Sequence, residues 1–412
     1  MNIETTKLWN KNFIIFIIGR QLSLDGKSLL RFALPLYILL ETKDPVLMGT
    51  ILATSAVPSI VFAPIGGVIA DRFNKRKLLA VMNFTMAVAI IIYLGLTAVM
   101  EIVPATIIMM LVLLTFESLI SLTTKASVPV LVPIGALVKA NSATFLLTTF
   151  SSIATPILGG FILARFGLMP ILLISIAIHL LATIMNFLAR IPCTKQEIMG
   201  SFLQTIVSDI KASIRFITKE KPEIGKVIFG VNMLYCITLM PLISVALPVL
   251  VTIYFGRGEE ALGITQAIIL FSGVIGVILV GLLGKKASIT KVRVLLFASS
   301  IALLPAGIAF MWSNNYTITY FILIVALFVI SALSIMMSII CRSYFGEESS
   351  EHMVGKVMAL NSSLVISGAS IGGFLYGFLF SRFIESPEVA LFILTGASAV
   401  VATRFKINAR QD

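Results

Sequence analysis

The chain has 412 residues, of which 58% are hydrophobic and only 12% charged, with a mean hydropathy of +1.06. That composition excludes a water-soluble domain and implies an integral helical membrane protein. A formal charge of +12 would suit nucleic acid, but most of the cations flank apolar runs, where they set topology and meet anionic lipid head groups. The bilayer is therefore the expected partner, and nucleic acid is not.

Residues 1–12 are polar, and the apolar run that follows is far longer than a signal-peptide core, so the first span is expected to stay in the mature protein. Apolar runs cover residues 13–40, 46–70, 78–100, 102–122, 145–163, 169–188, 227–251, 261–284, 294–311, 318–340, 357–380 and 389–402, which predicts twelve transmembrane helices. The last is short and is expected to rely on Arg404 and Lys406 snorkelling to the interface. When successive loops are assigned to alternate sides, Lys7, Lys11, the cluster from Arg72 to Lys77, Lys125, Lys139, Lys285, Lys286, Lys291, Arg293, Arg404, Lys406 and Arg410 share one side. Lys43, Arg165, Arg257 and Arg382 fall on the other. The basic side is cytoplasmic, and both termini with it.

Between the second and third runs lies Gly67-Val-Ile-Ala-Asp71-Arg72-Phe73-Asn74-Lys75-Arg76-Lys77. This turn resembles the signature of the major facilitator superfamily, G-x-x-x-D-R-x-G-x-R-K, with Gly67, Asp71, Arg72, Arg76 and Lys77 in place. Asn74 stands at the second glycine, and asparagine also tolerates a left-handed backbone. The resemblance implies that Gly67 admits a neighbouring helix and that Asp71 meets the positive end of a helix from the other half.

Residues 201–218 read as an amphipathic helix on the inner membrane surface, with Phe202, Ile206, Ile210 and Ile214 recurring every four residues. Asp209, Lys211 and Arg215 lie elsewhere around it, and Pro222 ends it. The two halves repeat. Ala33-Leu34-Pro35 recurs as Ala246-Leu247-Pro248, Gly49 answers Gly263, Gly67 answers Gly281, and Gly159-Gly160 answers Gly372-Gly373, always 213 or 214 positions apart. The expected architecture is thus all-α, two pseudo-symmetric six-helix bundles at residues 1–190 and 226–412 joined by a cytoplasmic linker at 191–225.

In the fifth run, Ser142, Ser151, Thr155, Pro156, Gly159 and Gly160 resemble the G-x8-G-x3-G-P-x2-G-G motif of facilitator antiporters, with three glycines replaced by Ser, Ser and Thr. Ordinary small-residue packing around a proline kink is the other reading. The stretch Ser127-Val-Pro129-Val-Leu-Val-Pro133, with Asp209 to Arg215, resembles the macrolide-efflux and siderophore-export branch.

Charges inside a membrane cost several kcal/mol unless paired or hydrated, so they are functional candidates. The first run holds Arg20, Asp25, Lys27 and Arg31; at 100° per residue Arg20, Lys27 and Arg31 share one stripe, and Gln21, Asp25 and Ser28 another. Glu117 lies in the fourth run on a face with Met110, Ser121 and Thr124. Facilitators line their cavity with spans one, four, seven and ten, so the resemblance puts Asp25 and Glu117 in one chamber as proton-coupling candidates, with Arg20, Gln21, Lys27 and Arg31 around them. A structural ion pair is the rival role. Three cations against two carboxylates leave one positive charge in excess, which favours neutral or acid-bearing substrates unless Arg20 snorkels away.

His179 in the sixth run reads as a packed, hydrogen-bonded support residue, and Asn232, Tyr235, Gln266 and Asn361 as substrate contacts or interhelical glue. No disulfide is expected among Cys193, Cys236 and Cys341. No metal, cofactor or nucleotide-binding P-loop is expected either. The resemblance implies a secondary active transporter, not an enzyme, working as a monomer in the cell membrane. Its expected activity is proton-coupled efflux of an amphiphilic small molecule such as a drug, macrolide, siderophore or peptide-like natural product. Uptake of a nutrient or lysolipid is the alternative on the same fold; a sensor or membrane enzyme would want a soluble domain or a catalytic cluster.

Overall fold

The computed structural model describes residues 9–55, 57–58, 74–192, 208, 211–313 and 315–404 of the chain. The apolar runs are helices in the expected order. They are α1 Lys11–Thr42, α2 Pro45–Ser55, α3 Lys75–Leu96, α4 Ile102–Leu131, α5 Leu137–Phe166, α6 Leu168–Leu188, α7 Pro222–Tyr254, α8 Glu259–Leu283, α9 Ile289–Trp312, α10 Tyr316–Glu348, α11 Glu351–Arg382 and α12 Pro387–Arg404. Among the described residues nine of these are long and apolar enough to cross a membrane, while α2 and α12 are shorter apolar helices. The second half of the second run lies outside the described residues.

Local chemistry sets the ends. Asn10 Oδ1 accepts from the Phe13 N–H at 2.9 Å and starts α1. Lys43, at φ 54, closes α1 in the left-handed region, and Asp44 then caps α2 by accepting from Val46 N at 2.8 Å. Gly167, at φ 74, is the whole connection between α5 and α6, a conformation that glycine adopts without strain. Asn74 is not left-handed as its place in the motif suggested. It has φ −63 and ψ 106 and caps α3, its side chain accepting from the Lys77 N–H at 3.2 Å.

Contacts divide the chain into two compact units, one of residues Met1–Ile38 and Thr54–Phe202 and one of Leu39–Ala53 and Leu203–Asp412. In the first, α3 packs along α6. An apolar cluster including Phe13, Phe16, Leu79, Leu119, Leu131, Ala189 and Ile191 gathers the ends of α1, α3, α4 and α6. Asn12 seals it by donating to Arg190 O at 2.6 Å and accepting from Arg190 N at 2.7 Å.

In the second unit, α9 packs along α12, the counterparts of α3 and α6 under the repeat offset. Backbones touch where glycines allow it. A Cβ on Gly49 of α2 would lie 2.5 Å from Gly373 O, and one on Gly377 would lie 2.6 Å from Pro45 O, which is why the start of α2 packs with α11. Helix α7 departs from α geometry, widening into i→i+5 turns at Ile228–Met233, Leu242–Ala246 and Leu250–Tyr254. Pro241 and Pro248 lie in the same stretch and lack the N–H that a regular ladder needs.

Before α7, residues 211–215 are helical and Phe216–Glu220 form a further wide turn that ends at Lys221, before Pro222. Phe216 and Ile217 are buried there, whereas Ile214 faces outward. Phe202, Ile206, Asp209 and Ile210 of the expected helix, like Cys193 and Lys406, lie outside the described residues.

The glycines make a test. A Cβ on Gly276 of α8 would lie 2.6 Å from Ala332 O of α10, whereas one on Gly281 would meet nothing within 4 Å. Gly276→Ala is expected to destabilise the protein by about 1–3 kcal/mol through overpacking, while Gly281→Ala stays neutral or gains up to about 1 kcal/mol from helix propensity. Thermal unfolding in detergent reads both.

Candidate functional site

Helix α1 is long enough to span a membrane yet carries four ionised residues, and the first unit supplies a partner for most of them. On the side of α4, Arg31 Nη1 lies 3.6 Å from Glu117 Oε1. Lys27, only 7% exposed, feels the charges of Glu117 and Arg31. The second Glu117 oxygen, Oε2, is buried without a hydrogen-bond partner.

On the side of α5, Gln21, Asp25 and Ser151 form a closed triangle. Gln21 Nε2 donates to Asp25 Oδ1 at 2.9 Å and to Ser151 Oγ, and Ser151 Oγ donates to Asp25 Oδ1. Arg20 Nη2 donates to Thr148 Oγ1 at 2.9 Å, and Arg20 Nη1 and Gln21 Oε1 remain buried without partners. Two separate sets thus replace one chamber-wide constellation: Lys27 and Arg31 with Glu117, and Arg20, Gln21 and Asp25 with α5. The helical wheel put Arg20 on the stripe of Lys27 and Arg31, but its long side chain reaches round to Thr148 instead of snorkelling to the surface.

Thr148 and Ser151 were not recognised as partners from the sequence, although a signal was there. Thr144, Thr148, Ser151 and Thr155 recur at helical spacing and place a hydroxyl stripe along α5. Ser151 occupies a motif glycine position, and its hydroxyl joins the antiporter-like motif to Asp25. The rest of that motif packs: Pro156 lies inside α5, Gly160 is buried, and a Cβ on Gly159 would fall 2.7 Å from the Phe32 ring.

Of the basic turn, Gly67, Asp71 and Arg72 lie outside the described residues. Arg76 donates from Nε to Phe187 O at 2.6 Å and stacks over the Phe187 ring at 4.8 Å, tying the start of α3 to the end of α6, while Lys77 is exposed.

His179 on α6 is wholly buried, with Nδ1 3.1 Å from Asn83 Oδ1 on α3, the hydrogen-bonded support role expected of it. In the second unit the polar groups bind one another across helices. Asn232 Nδ2 donates to Asn361 Oδ1 at 2.7 Å, the Tyr235 hydroxyl donates to Ser334 Oγ, and Gln266 Nε2 donates to Ile243 O at 3.3 Å. Cys236 and Cys341 are free and buried.

A duplicated helical bundle whose first span carries answered charges is the architecture of a membrane transporter. The chain belongs to the Major Facilitator Superfamily, whose sequence profile matches residues 16–373. Macrolide efflux protein A of Streptococcus pyogenes is 23% identical over 375 residues, covering 90% of this chain and 89% of that one. Enterobactin exporter EntS of Salmonella choleraesuis (strain SC-B67) is 25% identical over 375 residues, covering 89% and 84%. Among solved structures the nucleoside transporter NupG superposes with a TM-score of 0.74 at 15% identity, over 96% of this chain and 98% of that one. The protein is a multi-pass secondary transporter of small molecules with the major facilitator fold, and not an enzyme.

Ser151 is the testable joint of the α5 set. Ser151→Ala leaves Asp25 and Gln21 each one partner short in a buried place, and is expected to destabilise the protein by about 1–3 kcal/mol. Ser152→Ala, next along the helix but exposed, is expected to stay within about 0.5 kcal/mol of the parent in the same unfolding measurement.

Proposed function

We propose that the protein exports an amphiphilic small molecule from the cytoplasm by alternating access, driven by protons. Two bundles, residues 1–190 and 226–412, move about the linker at 191–225, and the monomer sits in the cell membrane with both termini cytoplasmic. The similarity to a macrolide efflux protein and an enterobactin exporter supports export and a substrate class of macrolide, siderophore or peptide-like natural products. The turn holding Gly67, Asp71, Arg72, Arg76 and Lys77 serves as the gate.

Glu117 is assigned the proton. The carrying observation is its half-satisfied carboxylate: one oxygen faces Arg31 at 3.6 Å, and the other is buried with no hydrogen-bond partner. Protonation makes the free oxygen a donor and releases Arg31 and Lys27 from their counter-ion, so proton binding changes what the first helix holds. Asp25, already accepting from Gln21 and Ser151, is assigned the second, poising role. Glu117→Gln is expected to abolish concentration of substrate against a gradient while sparing downhill exchange. Asp25→Asn is expected to slow both modes. Counterflow and pH-driven uptake into inverted vesicles separate these outcomes, and uphill transport by Glu117→Gln removes the assignment.

The three cations Arg20, Lys27 and Arg31 outnumber the two carboxylates, so the site prefers neutral or acid-bearing amphiphiles over lipophilic cations. A deletion strain is expected to become sensitive to acidic or neutral natural products. Hypersensitivity confined to quaternary ammonium dyes runs against this preference.

A further inference from the structure

Helix α6 lies close against α1 where glycine permits it. A Cβ on Gly26 would stand 3.1 Å from His179 Nε2, and one on Gly19 would stand 2.9 Å from Met185 Cβ. His179 and Asn83 are both wholly buried behind this contact. The hydrogen bonds fix the chemistry of the ring step by step. Asn83 Nδ2 donates to Leu79 O at 2.8 Å, and a carbonyl accepts only, so the orientation of the amide is set. Its oxygen is then the atom 3.1 Å from His179 Nδ1, and Nδ1 must carry the proton. In the neutral ring Nε2 is therefore a bare acceptor. It is buried, it has no hydrogen-bond partner, and it is turned toward α1 beside Gly26.

The next residue on α1 is Lys27. Its field is the charged-group influence that reaches the His179 ring. Lys27 itself stands among Glu117, Arg20, Arg31 and Lys125, with Asn83 of α3 uncharged. An ammonium has three donors, whereas the nearby Glu117 carboxylate also serves Arg31. A second cation at His179 beside Lys27, with no acceptor for Nε2–H, is disfavoured.

We propose that Asn83 and His179 form a fixed-tautomer acceptor that positions the Lys27 ammonium toward Glu117, directly or through one bridging water. His179 is then a positioning residue of the coupling pair. The inference rests on Glu117 as the proton carrier for its transport consequence, but not for its tautomer or its contact with Lys27.

The two claims separate experimentally. The chain has 2 histidines, so full-length protein carrying His352→Gln, labelled with 15N at histidine and reconstituted in lipid bilayers, reports on His179 alone. Solid-state NMR is expected to show a protonated Nδ1 and a bare Nε2. Lys27→Met should move the Nε2 signal toward that of an acceptor lacking its donor, and Asn83→Ala should let an Nε2–H form appear. A bare Nδ1, or an Nε2 signal indifferent to Lys27→Met, overturns the proposal.

Transport adds a readout that packing alone would not move. Gln reaches as far as Nε2, whereas Asn stops near Nδ1. With a radiolabelled macrolide as probe in inverted vesicles under an imposed pH gradient, His179→Gln should retain uptake and His179→Asn should lose about tenfold. Equal losses in the two variants reduce His179 to packing and overturn the positioning role. If Glu117→Gln still concentrates the probe while the His179 spectrum responds to Lys27→Met, the Glu117 assignment falls and the positioning of Lys27 stands.

Discussion

The constraint on which the first unit depends is the cost of an ion in hydrocarbon. Helix α1 places Arg20, Asp25, Lys27 and Arg31 within three turns or so of a span, and each charge left bare would cost several kcal/mol. The neighbouring helices are built to answer them: α4 with Glu117, α5 with Thr148 and Ser151, and α6 with a buried histidine whose free nitrogen faces the same helix. What remains unanswered is specific. One oxygen of Glu117, one nitrogen of Arg20 and the Nε2 of His179 are left without partners, and such residues of unmet bonding are where a proton or substrate changes the balance.

The second unit solves a different problem by different means. Its polar residues are neutral and already bonded to each other, so α7, α10 and α11 are joined by Asn232 to Asn361 and by Tyr235 to Ser334. Glycines bring backbones together where side chains would hold them apart, as Gly372 does against Ile237 and Pro241. The wide turns of α7 sit in this dense setting, the kind of local irregularity that a fully regular helix could not accommodate around two prolines. Duplication supplied the same helix order to both halves, and divergence then put the charges in one of them.

Membership of a superfamily gives the architecture and transport as a class of activity; it does not give the cargo. The solved neighbours share the fold at 15% identity or so, and at that distance pocket chemistry is free to differ. The chemistry particular to this chain lies in α1 and its partners, where an excess of positive charge, a half-bonded carboxylate and a hydroxyl stripe define what the first unit offers a ligand.

Much of this was legible in the linear sequence because membrane insertion reads composition and order directly. Twelve apolar runs, the charge bias of the loops and a constant repeat offset are one-dimensional properties, and a helix in lipid must satisfy its own backbone, so each run becomes a helix irrespective of its neighbours. The candidate charges were equally visible, since few residues can be ionised in a span without a purpose. Their pairing was not. A helical wheel follows Cα positions, but Arg20 is long enough to leave its stripe for Thr148, and Asn74 met its backbone needs as a cap, not as a left-handed turn. Whether Asp25 faces a cation or a serine, which way the Asn83 amide points and hence which nitrogen of His179 is bare depend on atoms brought together from helices over a hundred positions apart. Such contacts exist only after packing, and only the tertiary structure decided them.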